Sequence, residues 1–122
     1  MSRRTRQFFN STGQDLERLR VKGMTNHAHM HPDDLSELSV ADDDVVEISS
    51  AHASVLGVVK ASADIKRGVI SMAHAFGAQG DDADSVRAHG ASTNRLVSDE
   101  VAYDRITGQC RQSAIPVRVR RA

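Results

Sequence analysis

A mainly β fold, a small barrel with short helical insertions, is what this sequence predicts. Three observations point that way. β-Branched residues cluster in two runs, Val45–Ser50 and Ser54–Ser62, parted only by Ala51, His52 and Ala53, which is the pattern of a hairpin. The closing "AIPVRVRRA" alternates Val117 and Val119 with Arg118 and Arg120, as a strand with one covered face does. No helical period runs long enough to supply the several crossovers of a βαβ sheet.

Taken in order, the opening "SRRTRQFF" has no helical apolar period and reads as a strand or an arm. A turn follows, then a short helix capped by Asp15, with Leu16 and Leu19 on one face and Gly23 at its end. "HPDDLSELSV" is a clearer short helix. Pro32 suits the first helical position, where a missing N–H costs nothing, and Asp33 and Asp34 suit the positive end of the helix dipole. Leu35 and Leu38 face the core, and "ADDD" is a polar turn. After the hairpin, Gly68 ends a turn, and "VISMAHAFG" reads as a third, buried strand ending at Gly77. The stretch 78–92 is rich in Ala, Gly and Asp, with Val86 its only branched apolar residue. It reads as a long, exposed, mobile loop. "TNRLVSDE" suits one helical turn and "DRITGQ" a tight turn, before the final strand.

The 122 residues suffice for one domain, 1–122, and two would each be too small to bury a good core. Lys plus Arg and Asp plus Glu are equal at 16, so no global charge steers the chain to nucleic acid or a membrane surface. Aromatic residues are only 3%, which argues against base-stacking platforms. The charges are nevertheless segregated. Arg3, Arg4 and Arg6 open the chain, and Arg118, Arg120 and Arg121 close it. If the termini meet, they form a basic face suited to an anionic ligand. Cys110 is the only cysteine, which favours a cytoplasmic setting. No apolar run approaches the roughly 20 residues of a membrane span.

His27, His29 and His31 stand at every second position, a spacing that puts three imidazoles on one side of a strand. Pro32 follows at once, so His31 is expected as a cap or loop residue rather than a ligand, and no second Cys or His cluster at zinc spacing accompanies the trio. No metal site is therefore expected. No P-loop, G-x-G-x-x-G or G-x-S-x-G is present.

Several segments, in order, resemble the C-terminal cofactor-binding domain of the molybdopterin oxidoreductases, the group of formate dehydrogenases, nitrate reductases and dimethyl sulfoxide reductase. "HPDDLSEL" is similar to the family's HP-x-D helix entry. Asp42-Asp43-Asp44 stands where D-G-D is usual, Lys66-Arg67-Gly68 fills the R-x-G position, and "MAHAFG" resembles M-x-H-G-x-G with Ala75 in place of a glycine. "NRLV", "DRITG" and "VRVRRA" look like the closing N-x-L, D-P-x-T-G and V-x-V segments, and "SRRTRQFFNSTG" resembles the opening. The resemblance implies a double-psi β-barrel. It implies molybdopterin guanine dinucleotide, with molybdenum or tungsten, as the ligand in a full-length enzyme, with none bound to the domain alone.

By the same resemblance, Arg4, Asn10, Ser11 and Thr12 form the opening cofactor contact, Asn94 carries the N-x-L contact, His74 ends the M-x-H strand, and Gln112 and Ser113 precede the closing strand. No residue of the chain is implied as catalytic, because the metal ligand of the family belongs to another domain. The isolated chain is thus expected to be inactive. Its partners would be the remaining domains of a parent oxidoreductase, formate dehydrogenase-like, or a large catalytic subunit. A chain beginning inside the first strand favours a domain of a longer protein over a separate subunit. Two rivals stand beside this reading. One is a stand-alone β-barrel interaction module with an arginine-rich anion-binding face. The other is a small metal enzyme built on His27, His29 and His31.

Overall fold

The computed structural model describes residues 5, 9–14, 16–19, 25–77, 82–101 and 103–122. The expected cap Asp15, the expected stop Gly23, and Arg3, Arg4 and Arg6 lie outside these residues.

The hairpin forms as its β-branched runs dictate. Strand β2 (Val45–Ser49) pairs antiparallel with β3 (Ser54–Ala61), Val46 opposite Gly57 and Ile48 opposite Val55. Ser50 closes the turn, its hydroxyl accepting from the N–H of Ala53 at 3.2 Å. Period-two alternation buries Val46 and Ile48 and turns Glu47 outward. On the outer edge lies β4 (Arg118–Arg121), antiparallel to β2. Arg120 stands opposite Glu47 and donates to its carboxylate from Nε at 2.8 Å.

One pairing has no local signal. Strand β1 (Ala28–Met30) runs parallel to β3, Ala28 opposite Val59, so the sheet order is β1-β3-β2-β4. On its other side, His29 exchanges two backbone hydrogen bonds with Ser71, both 3.0 Å. The run 69–77 was expected as a buried strand. Among the described residues it pairs with the sheet through this bridge, and the left-handed φ of 70° at Ala75 stops an extended strand from running on to Gly77. Met72, Ala73 and Phe76 are buried there all the same. The four described strands form an open, mainly β sheet with a few short helices around it.

Helix α1 (Pro32–Glu37) opens as the sequence suggested. Pro32 is its first residue, and His31 caps it, Nδ1 accepting from the N–H of Asp33 at 3.1 Å. Arg67 ties the helix to the next turn through Asp34 and Glu37, and Gly68 N–H donates to Asp34 at 2.6 Å. The Gly68 hydrogen bond, with the guanidinium of Arg67 added, holds the Asp34 carboxyl below its ordinary range. The "ADDD" turn is consumed by β3: Asp42 accepts from Ala61 N–H and from Lys60 Nζ, each at 2.6 Å.

The stretch expected as a long loop holds helix α2 (Ala83–His89) instead. Asp82 caps its N-terminus, accepting from Ser85 N–H at 2.8 Å, and Gly90 ends it with φ 74°. A single apolar residue, Val86, suffices to anchor seven residues, because it is 4% exposed against the core. A 3-10 turn follows at Thr93–Leu96, as expected, with Leu96 buried. Helix α2 and this turn both pack on β3. The core therefore lies around Val46, Ile48 and Val59, each fully buried and each contributing about 1.5–3 kcal/mol.

Candidate functional site

Three segments converge on one open cleft of about 730 Å³, lined by residues 68–70, 72, 74, 93, 94, 96, 97 and 112–117 together with Ile48. That volume is within the range of small-molecule sites. Of the residues singled out in the sequence, His74, Asn94, Gln112 and Ser113 line it. These four come from three segments up to about forty positions apart.

Asn94 sits in the 3-10 turn, which Ser92 precedes. Asn94 is therefore not the cap of that turn, and its side chain is exposed. Among the described residues, neither its amide nor that of Gln112 hydrogen-bonds a protein group, so both are available to a ligand. Gln112 and Ser113 lie on an exposed run that leads into β4. The apolar side of the cleft comes from Val69, Ile70, Met72, Leu96, Val97, Ile115 and Val117. Among the described residues, no Lys or Arg lines it.

The opening segment reaches the same edge. Asn10 Oδ1 lies 3.1 Å from His74 Nε2, and Gln14 donates to the carbonyl of Ala75. Asn10 takes a left-handed φ of 53° in the tight turn closed by Thr12 N–H donating to Phe9 at 3.0 Å. Ser11 and Thr12 are exposed in that turn and do not line the cleft. Arg4 is outside the described residues.

The cleft owes its shape to a residue that no sequence motif flagged. Asn26 is 3% exposed and fully bonded. Its amide donates to the carbonyls of Ala73 at 2.7 Å and Ala91 at 2.8 Å, and its carbonyl accepts from Ala91 N–H at 2.7 Å. It pins the segment carrying His74 to the one carrying Asn94. Gly77 and Gly90, both with φ 74°, permit this approach: a Cβ at Gly77 would run into the backbone of Ala91 and Ser92, and one at Gly90 into Asn26 Oδ1. The only sequence trace is two glycines flanking an Asp- and Ala-rich stretch.

The histidine trio does not converge. His31 is the α1 cap, and the rings of His27 and His29 are 6.2 Å apart and edge-on. His27 lies 4.0 Å from Asp43, yet burial outweighs that carboxylate and pushes the imidazole below its ordinary value. Among the described residues, no group of three His, Cys, Asp or Glu could hold a metal. The basic face is also reduced, since Arg120 is committed to Glu47. No helix among the described residues is long and apolar enough to cross a membrane.

With this geometry in place, comparisons with known proteins are specific. The family model described as "Molydopterin dinucleotide binding domain" matches residues 1–114. Among solved structures, the chain is similar to acetylene hydratase from Pelobacter acetylenicus. The TM-score is 0.79 at 16% identity, over 99% of this chain. The chain spans 18% of the length of that enzyme's chain. No curated protein matches it.

Proposed function

Because the chain belongs to the molybdopterin dinucleotide-binding domain family, whose members bind that cofactor in full enzymes, we propose that the cleft holds a planar heterocyclic part of it. The carrying observation is the pair of free amides, Asn94 and Gln112, facing an apolar slot. An amide presents a donor and an acceptor side by side, which suits the edge of a fused nitrogen heterocycle, while Val and Ile side chains cover its faces. The residues present therefore fit the group. Ser113 adds a hydroxyl, and His74, held by Asn10, bounds the end nearest the opening segment.

Among the described residues the lining carries no Lys or Arg, which supports a pyrophosphate site outside it. Arg4, Ser11 and Thr12 are proposed for it on the family resemblance. So are the finer features: a single domain over 1–122, a double-psi barrel, the guanine dinucleotide with molybdenum or tungsten, a formate dehydrogenase-like parent and a cytoplasmic setting. The redox chemistry would be the cofactor's, and this domain's part is to orient it and shield it from water.

The test is Asn94→Ala in the intact enzyme, reading pterin and metal content per mole of protein. A clear loss of cofactor with an unchanged unfolding midpoint supports the reading. Full occupancy would remove Asn94 from the site.

A further inference from the structure

From Asp99 to Ala114 every described residue except Cys110 is exposed. This arm contributes nothing to the core, yet it is ordered by its own bonds. Tyr103 bridges Cys110, and Asp104 N–H donates to Gln109 at 2.9 Å. The Asp104 carboxylate accepts from Ile106 N–H at 3.0 Å, from Thr107 N–H at 2.8 Å and from the Thr107 hydroxyl at 2.9 Å. Gly108, with φ 71°, closes the turn. At its tip Ile106 is 95% exposed. A turn this well specified holds an isoleucine in water, where the domain gains nothing from it.

The remaining exposed apolar side chains are not scattered. Among the described residues, the large ones are Phe9, Leu16, Val69, Val101, Tyr103 and Ile106. Phe9 and Leu16 are on the opening segment that bonds to His74 and Ala75, Val69 lines the cleft, and the other three are on the arm. None is on α1, α2 or a strand. The arm leaves the cleft lining at Val97 and rejoins it at Gln112, so both of its ends belong to the cleft.

We propose that the turn Asp104–Gly108 is a docking knob whose Ile106 seats in an apolar socket on the remaining domains of a molybdopterin enzyme. The identity of the occupant rests on the function proposed above. This fold makes up 18% of the acetylene hydratase chain, so most of such an enzyme lies outside it and is available to cover an ordered, exposed isoleucine. Because Asp104 already orders the turn, docking loses little chain entropy, and a rigid apolar side chain entering a pocket is the usual centre of such a contact.

The test uses the intact enzyme, as produced from its own locus. Ile106→Cys in a Cys110→Ser background is labelled with a maleimide, and the expected rate is at least about tenfold slower than for the same thiol in denaturant. Ile106→p-benzoylphenylalanine, irradiated and mapped, is expected to cross-link to residues outside this domain. Labelling at the denatured rate, or cross-links to a second copy of this domain, overturns the proposal. Hydroxyl-radical footprinting of Ile106 and Tyr103 in the unmodified enzyme needs no variant: protection supports docking, and oxidation at the rate of a free peptide refutes it. None of these readouts measures cofactor content. Docking can thus fail while the Asn94 result stands, and the reverse.

Discussion

The hairpin core and the 99–114 arm solve opposite problems with the same materials. In the core, Val46, Ile48 and Val59 are removed from water, and Gly57 is small enough for the strands to close: a Cβ there would sit 3.0 Å from Ile48 Cδ1. In the arm, Ile106 is held in water by a turn that Asp104 organises. Burial of apolar area stabilises the first, and hydrogen bonds of the backbone and of the Asp104 carboxylate order the second. The contrast teaches that order and burial are separable. A segment with no core of its own is fixed where its side chains are to meet something else, and the cleft lies along the boundary between the two regions.

The comparison breaks most readily at the glycine–asparagine clamp. Gly77→Ala forces a Cβ into the backbone of Ala91 and Ser92 at a φ that L-residues rarely adopt, so a loss of about 3 kcal/mol or more is expected. Asn26→Ala leaves the buried N–H of Ala91 and two carbonyls without partners, and about 2–4 kcal/mol should go with them. Urea unfolding measures both. A loss under about 1 kcal/mol for either would mean that the clamp yields and that the cleft is not built on it.

Within the core, Ile48→Ala removes a side chain at 1% exposure and is expected to lower stability by about 2–5 kcal/mol, read in the same way. Ile106→Ser at the arm's tip should change the domain's stability by less than about 0.5 kcal/mol. Comparable losses at both positions would abolish the distinction between core and arm.

A smaller effect concerns pH. Burial holds His27 below its ordinary value, so the folded state favours the neutral imidazole. Its contribution is fully present above the unfolded pKa and is lost as pH falls through the folded one. The urea midpoint should therefore fall on going from about pH 7.5 to pH 5.5, and His27→Gln should flatten that slope. An unchanged slope in the variant would assign the acid sensitivity to other groups. The carboxylates Asp34, Asp42 and Asp104 are all held low by their donors, so they act in the same direction at lower pH.

Much of this was legible in the sequence where the determinant was local. The hairpin follows from two β-branched runs, α1 from His31-Pro32 and two aspartates, and the arm's turn from Asp104 and Gly108, because each is decided by residues within a few positions of one another. Four of the residues singled out by family resemblance do line one cleft. Helix α2 was hidden because one valine gives no periodicity, and only its burial against the sheet makes seven residues helical. The run 69–77 looks like a strand because apolar content is shared by strands and by irregular buried segments, and Ala75's positive φ carries no sequence signal.

By itself, then, the sequence determined the pieces and their turns, through propensity, capping and glycine's freedom at positive φ. Tertiary structure decided the parallel pairing of β1 with β3, the burial of Asn26 and the meeting of His74, Asn94 and Gln112 across one cleft. Asn26 reaches partners 47 and 65 positions away. Bonds at that separation form only once the intervening chain has been packed, so no local pattern announces them.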